Sequence, residues 1–353
     1  MSVLGLTVEK GSAPLWMRAL LLLAALLIAF ILTSGLVIWA GASPLEAFYY
    51  FLIDPLSSRT GVLETLLKAT PLILTGVAVS FAFSAGYYNI GAEGQLYAGA
   101  VAAAWVGIRL AGLPTALGIS LMLLFGFIAG VLWALIPALL RVRLAVDEVV
   151  TTLLLNSVML FIVSALLNGP WRDPISSWPQ SPDIAVAAQF PRLVARSRLH
   201  LGFLIALASV LVLWFVLSRT SLGLKMRSVG LGQEAARFAG VNVGRVMLIA
   251  ALISGGIAGI AGVSEVAGMH YHLIGDISRG YGYTGIIVAT LGGLNPLGVA
   301  AAGLFFGLLD TGAQSVSRAL GVPVYLGEVA QATVLLVTLA IFPLRHYRIR
   351  RVL

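Results

Sequence analysis

Long apolar runs separated by short polar stretches dominate the chain. The first covers residues 19–39, and others follow at 63–85, 94–111, 114–140, 149–167, 201–217, 246–267, 283–294, 296–318 and 324–342. Most approach the ~20 residues that a helix needs to cross the hydrocarbon core of a bilayer. The first run is too long for the core of a typical signal peptide, so it reads as an uncleaved helix even though Ala40-Gly41-Ala42 has the small residues of a cleavage site. The pattern predicts an all-α, polytopic membrane protein of about ten transmembrane segments, with 1–353 forming a single transmembrane domain.

Two polar stretches interrupt the pattern. Residues 219–245 carry Arg219, Lys225, Arg227, Arg237 and Arg245 against one acid, Glu234, and their middle, 233–239, is small and helix-prone enough for a short exposed helix. Such a loop suits docking to a soluble partner, or it only fixes orientation. Residues 168–200 hold five prolines together with Trp171 and Trp178, which forbids a spanning helix and favours an interfacial loop, with or without an extracytoplasmic partner. With both termini inside, thirteen Lys and Arg fall on the inner side and eight on the outer, while Lys68 lies within a span. Both termini and 219–245 are therefore expected in the cytoplasm, and 168–200 outside.

Segments two to five, 63–167, and seven to ten, 246–342, enter the membrane from opposite sides and are candidate inverted repeats, an arrangement that places a pathway at the repeat interface. Each contains a glycine-rich break, 86–94 in the first and 275–285 in the second. Non-helical backbone at membrane depth is tolerated where protein or a water-filled cavity satisfies it, so both breaks should point inward.

Composition narrows the chemistry. Hydrophobic residues make up 59% and charged residues 10%, and the net charge of +8 is scattered among loops rather than gathered on a basic face with aromatics, which argues against nucleic acid. The absence of cysteine excludes disulfides, thiolate metal sites and thiol catalysis. Gly280, Gly282 and Gly285 match G-x-G-x-x-G without a preceding strand, and no Walker-type phosphate loop occurs, so ATP-driven work would need another polypeptide. His270, His272 and Asp276 lack further ligands for a metal site. Gly255 with Gly259, and Gly303 with Gly307, have the spacing of close helix packing.

Glu148, Thr152 and Asn156 recur every four residues and share one helix face, which either lines a polar pathway or bonds to neighbouring helices. Asp147 and Glu148 also lie near Arg141 and Arg143, close enough in sequence for ion pairs. Asp310, deep in the ninth segment, is a further pathway candidate.

Three runs carry a family resemblance: Asn89-Ile-Gly-Ala-Glu-Gly-Gln95, the DEVVTTLLLN run ending at Asn156, and RSVGLGQEAARFAGVNVGR ending at Arg245. In this order, and over about 63–342, they resemble the permease subunits of bacterial ABC importers. The nearest are the branched-chain amino acid and simple-sugar permeases, and within them the purine-nucleoside and simple-sugar group. The resemblance implies that 219–245 holds a coupling helix seated in a groove of a cytoplasmic ATPase subunit, with Glu234, Ala235, Ala236, Arg237 and Gly240 as coupling residues. Where the family has Asn-Pro at the start of that helix, this chain has Leu231-Gly232-Gln233, which blurs the start.

The resemblance further implies alternating access in the bacterial cytoplasmic (inner) membrane. An extracytoplasmic solute-binding protein would deliver cargo, a second permease would complete the pair, and ATP with Mg would be held by the partner subunits, no cofactor being held by this chain. A nucleoside is the first expectation for the cargo and a simple sugar the next. Such neutral, hydroxyl-rich solutes want carboxamides, hydroxyls and an aromatic face, groups that Tyr87, Tyr88, Asn89, Glu93, Gln95, Thr152 and Asn156 supply. The alternatives are an ion- or proton-coupled secondary transporter using Glu93, Asp310 or Glu328, and an intramembrane enzyme, for which no nucleophile and base pair stands out.

Overall fold

The computed structural model describes residues 2–3, 6–10, 15–341 and 347–351. In chain order its helices are α1 (Leu15–Trp39), α2 (Pro44–Phe48), α3 (Asp54–Ser57), α4 (Arg59–Ser84), α5 (Ala92–Gly107), α6 (Thr115–Leu144) and α7 (Glu148–Asn168). After the long loop come α8 (Gly202–Arg219), α9 (Ser221–Leu231), α10 (Gln233–Phe238), α11 (Val243–Ser264), α12 (Tyr281–Leu291), α13 (Pro296–Leu320) and α14 (Val324–Ile341). Each of the ten expected segments is helical. Among the described residues, six helices are long and apolar enough to span a bilayer: α4, α6, α7, α8, α13, and α11 with its continuation to His270. Phe342, the last residue of the tenth expected segment, and Arg345 lie outside the described residues. Outside the helices, three short antiparallel strands, β1 (Ser2–Val3), β2 (Leu6–Lys10) and β3 (Tyr347–Arg351), pair in the order β1-β2-β3.

The chain forms two compact units, one of residues 63–307 and one of 1–62 with 308–353. In the larger unit, the span windows of α4 and α11 are 83% and 72% buried, whereas those of α6, α7 and α8 are only 22–28% buried. The first two are thus core helices, and the others present apolar side chains outward, as a bilayer-facing helix does. The close approach expected of Gly255 and Gly259 is present: a Cβ on Gly130 of α6 would lie 2.1 Å from the Gly255 carbonyl oxygen, and one on Gly259 would lie 2.3 Å from that of Gly126. Backbone meets backbone there because neither helix interposes a side chain. Gly303 and Gly307 also pack closely on α4, Gly303 against the Ile73 side chain and Gly307 against the Thr65 carbonyl oxygen. In the smaller unit α1 packs with α14, and a π-helical turn, Tyr49–Ile53, joins α2 to α3, where the Asp54 carboxylate accepts a hydrogen bond from Ser315.

Both breaks are shorter than their glycines suggest. The first occupies 85–91, since Glu93, Gly94 and Gln95 already belong to the first turn of α5. The second follows a π-helical turn, Glu265–His270, and ends at Gly280, because Gly282 and Gly285 are helical residues of α12. There the glycines allow close packing rather than a loop: a Cβ on Gly282 would stand 2.2 Å from the Glu93 backbone nitrogen.

The loop between α7 and α8 is irregular apart from a 3-10 turn at Val186–Ala188, as its prolines require. It is pinned to the second break by N–H to carbonyl bonds from Ser181 to Leu273, Ile184 to Tyr271 and Phe190 to Ala267. Ile175 and Trp178 at its tip are exposed. At its end, outside the membrane-spanning segments, His200 is buried and accepts the Gly202 N–H on Nδ1 at 3.1 Å. Desolvation pushes its imidazole down to about 4. Between that value and the ordinary ~6.5 the folded chain binds fewer protons than the unfolded one, so stability that is complete above pH ~6.5 falls as pH drops toward 4. A loss of about 3 kcal/mol is expected over that window. It is measured as a fall in Tm with pH that His200→Phe flattens; equal slopes for the two proteins would refute it.

Candidate functional site

The helix face of Glu148, Thr152 and Asn156 lies against the first break and satisfies its backbone. The Glu148 carboxylate accepts the Tyr88 N–H (3.3 Å) and pairs with Arg141 Nε (3.0 Å). Thr152 accepts the Ile90 N–H (3.3 Å) and donates to the Glu148 carbonyl (2.6 Å). Asn156 accepts the Gly94 N–H on Oδ1 (2.9 Å), and its Nδ2 donates to the Ile90 carbonyl (3.0 Å) and the Tyr283 hydroxyl (3.2 Å). Asp147, by contrast, caps α7 by accepting the N–H groups of Val149 and Val150, so the ion-pair expectation holds for Glu148 and fails for Asp147.

Asn89 uses its whole hydrogen-bonding capacity. Its Oδ1 accepts from Gly91 N (2.9 Å) and Gln95 Nε2 (3.1 Å), while its Nδ2 donates to Gln95 Oε1 (2.8 Å) and Ser254 Oγ (2.9 Å). Glu93 reaches the second break, where its carboxylate accepts the Gly282 N–H at 2.7 Å in the first turn of α12. A carboxylate suits that helix end, whose free N–H groups carry partial positive charge. One turn along α5, the Tyr97 hydroxyl donates to the Gly275 carbonyl (2.9 Å), and on α4 the Thr75 hydroxyl donates to the Tyr281 carbonyl (2.9 Å). A single buried polar network thus ties the two breaks together.

Five of the expected pathway residues, Asn89, Glu93, Gln95, Thr152 and Asn156, belong to this network, each no more than 3% exposed and with its polar atoms engaged. Tyr87 is also buried, whereas Tyr88 presents its ring, packed edge-on to Phe83 at 5.2 Å. Asp310 is half-buried in the part of α13 that belongs to the smaller unit, and none of the hydrogen bonds described above involves it. Four participants escaped the sequence reading: Ser254, a lone serine in an apolar run; Thr75; Tyr97; and Tyr283, an exposed ring fixed by its hydroxyl. Only Tyr283 had a usable signal, since it lies in a glycine-rich stretch already marked as a break.

Residues 219–245 form two helices rather than the single expected one. The Thr220 hydroxyl caps α9 by accepting the Gly223 N–H, and extended backbone at Gly232 separates α9 from α10, so the start of the short helix is sharp. Gly240, at φ +80°, ends it in the left-handed conformation that glycine favours, with the Val241 N–H returned to the Ala236 carbonyl at 3.0 Å. Glu234 and Arg237 pair with each other at 3.0 Å on the exposed face, and Ala235 is also exposed. Ala236 is buried, so its small side chain seats α10 on its own chain. The most outward apolar residues are Phe238, 97% exposed, and Leu231, 90% exposed, ahead of Leu224 at 60%, and none of them stood out in a hydrophobic sequence.

The glucose ABC transporter permease protein TsgB13 of Haloferax volcanii is 36% identical, over 96% of this chain and 92% of its own length. The guanosine ABC transporter permease proteins NupP and NupQ of Bacillus subtilis are 34% and 30% identical, over 80% and 72% of this chain and 82% and 80% of their own lengths. A family model described as branched-chain amino acid transport system / permease component matches residues 61–342, the stretch that contains the network, both breaks and the two-helix loop. The chain therefore belongs to that permease family, as a multi-pass membrane subunit of ABC transporters.

Proposed function

We propose that this permease admits a neutral nucleoside to the cytoplasm by alternating access, driven by ATPase subunits that grip α10. One observation carries the reading: a six-residue helix, seated on its own chain through buried Ala236, holds the Phe238 ring almost wholly in water, in a chain with no phosphate-binding loop of its own. An exposed phenyl ring on a rigidly capped helix is an anchor awaiting an apolar pocket. The excess of Lys and Arg on one side supports a cytoplasmic position for this loop and both termini, in the inner membrane of a cell with that topology. ATP and Mg2+ are held by those ATPase subunits, and a solute-binding protein delivers cargo to the loop between α7 and α8.

Two further features support the cargo and the partner. Tyr88 and Tyr283 offer exposed aromatic faces beside a network whose charges are internally engaged, which favours stacking of a planar base over capture of an ion. Similarity to two different permeases of one organism, NupP and NupQ, supports pairing with a related but non-identical permease. The inverted repeats, 63–167 and 246–342, supply the two sets of helices that rock around the breaks.

The test is uptake by vesicles holding the permease pair, the ATPase subunits and the binding protein. Uptake of labelled guanosine should require ATP and be competed by nucleosides in preference to glucose. Uptake that continues without ATPase subunits and collapses with a proton uncoupler would overturn the reading.

A further inference from the structure

Where residues 219–245 meet the first break, two glycines touch. Gly86, in left-handed backbone at φ +69°, would with a Cβ stand 3.5 Å from Gly230 Cα and 3.7 Å from both the Val229 carbonyl oxygen and the Gln233 side-chain nitrogen. Seen from the other side, a Cβ on Gly230 would lie 2.5 Å from the Ser84 carbonyl oxygen and 3.5 Å from Gly86 N. Backbone thus rests on backbone, with no side chain between. On the same helix Met226 and Val229 are buried, which holds α9 in place, and Gln233 is the first residue of α10.

From Gly86 the chain passes directly into the bonded break. The Tyr88 N–H is fixed by Glu148, Ile90 by Thr152 and Asn156, and Glu93 of the next helix turn holds the start of α12. We propose that the Gly86–Gly230 contact is the joint through which displacement of α10 reaches the pathway, with Gly230 as its positioning residue. Long side chains at such a contact would absorb a shift of an ångström by changing rotamer, whereas packed backbone transmits it. The inference rests on the ATP-driven reading given above.

The test measures solute taken up per ATP hydrolysed by the complete reconstituted transporter. Gly230→Ala forces the Ser84 carbonyl away. It should leave assembly and hydrolysis within about twofold of wild type while uptake per ATP falls at least about fivefold. Gly118→Ala is the control for crowding alone, since its Cβ would meet the Ala187 carbonyl oxygen at 2.3 Å, far along α6 from the joint; it should lower yield without changing the ratio. An unchanged ratio in Gly230→Ala, or an equal fall in Gly118→Ala, overturns the proposal. If Gly230→Ala does not assemble, Gly86→Ala, whose methyl meets only ordinary contacts but strains the joint through its left-handed backbone at φ +69°, is read by the same criterion. Wild-type uptake that needs no ATP would sink the underlying reading and the joint with it; a normal ATP requirement with an unchanged ratio sinks the joint alone.

Discussion

Replacing Phe238 by alanine weakens the hold of the ATPase subunit on this permease by about 10- to 100-fold, the equivalent of ~1.5–3 kcal/mol for one fully buried phenyl ring. The ring is 97% exposed in the isolated chain, and α10 is fixed beneath it by buried Ala236 and the Gly240 cap, so the permease itself loses almost no buried surface. Thermal stability of the permease should therefore change by less than about 0.5 kcal/mol. Titration of the ATPase subunit onto permease in lipid discs reads the affinity directly. Glu234→Ala is the comparison: it removes half of an exposed ion pair, 91% and 63% accessible, and should cost less than about 1 kcal/mol. Equal affinities for wild type and Phe238→Ala would place the grip elsewhere.

Asn89→Ala should lower the stability of the permease by about 3–5 kcal/mol, the scale seen when a buried hydrogen-bond network is broken. The substitution leaves the Gln95 amide, the Ser254 hydroxyl and the Gly91 N–H without their shared partner, all of them at buried positions. The expected signature is a large drop in Tm in detergent together with lost uptake. A variant with unchanged Tm and a raised KM for uptake would show instead that Asn89 meets the solute, and the network would then be a lining. Tyr283→Phe probes the edge of the same network by removing one 3.2 Å bond from Asn156 while keeping the ring, so it should be far milder.

Much of the fold was legible because an apolar run of bilayer length must be helical: no water is available to satisfy its backbone, and only the helix does so locally. That reasoning placed all ten segments and the long proline-rich loop. It misjudged the breaks, since Gly94, Gly282 and Gly285 were read as loop formers although they serve close packing within helices. It also read α9 as loop, because a basic, glycine-containing stretch gives no amphipathic signal until Met226 and Val229 are seen to be buried. The spacing of Glu148, Thr152 and Asn156 put them on one face, but nothing in it said that the backbone of the first break would consume them.

Length, hydropathy and the placement of polar residues along the chain settled the helical membrane class, the positions of the spans and the presence of an exposed basic loop, because each of these follows from interactions within a single run. Tertiary structure alone decided which groups are spent and which are presented. Asn89 finds Ser254 across 165 residues and Glu93 finds Gly282 across 189, while Phe238 is left 97% exposed. A hydrogen bond or a buried surface depends on which atoms lie within a few ångströms, and for residues so far apart in the chain only packing brings them there.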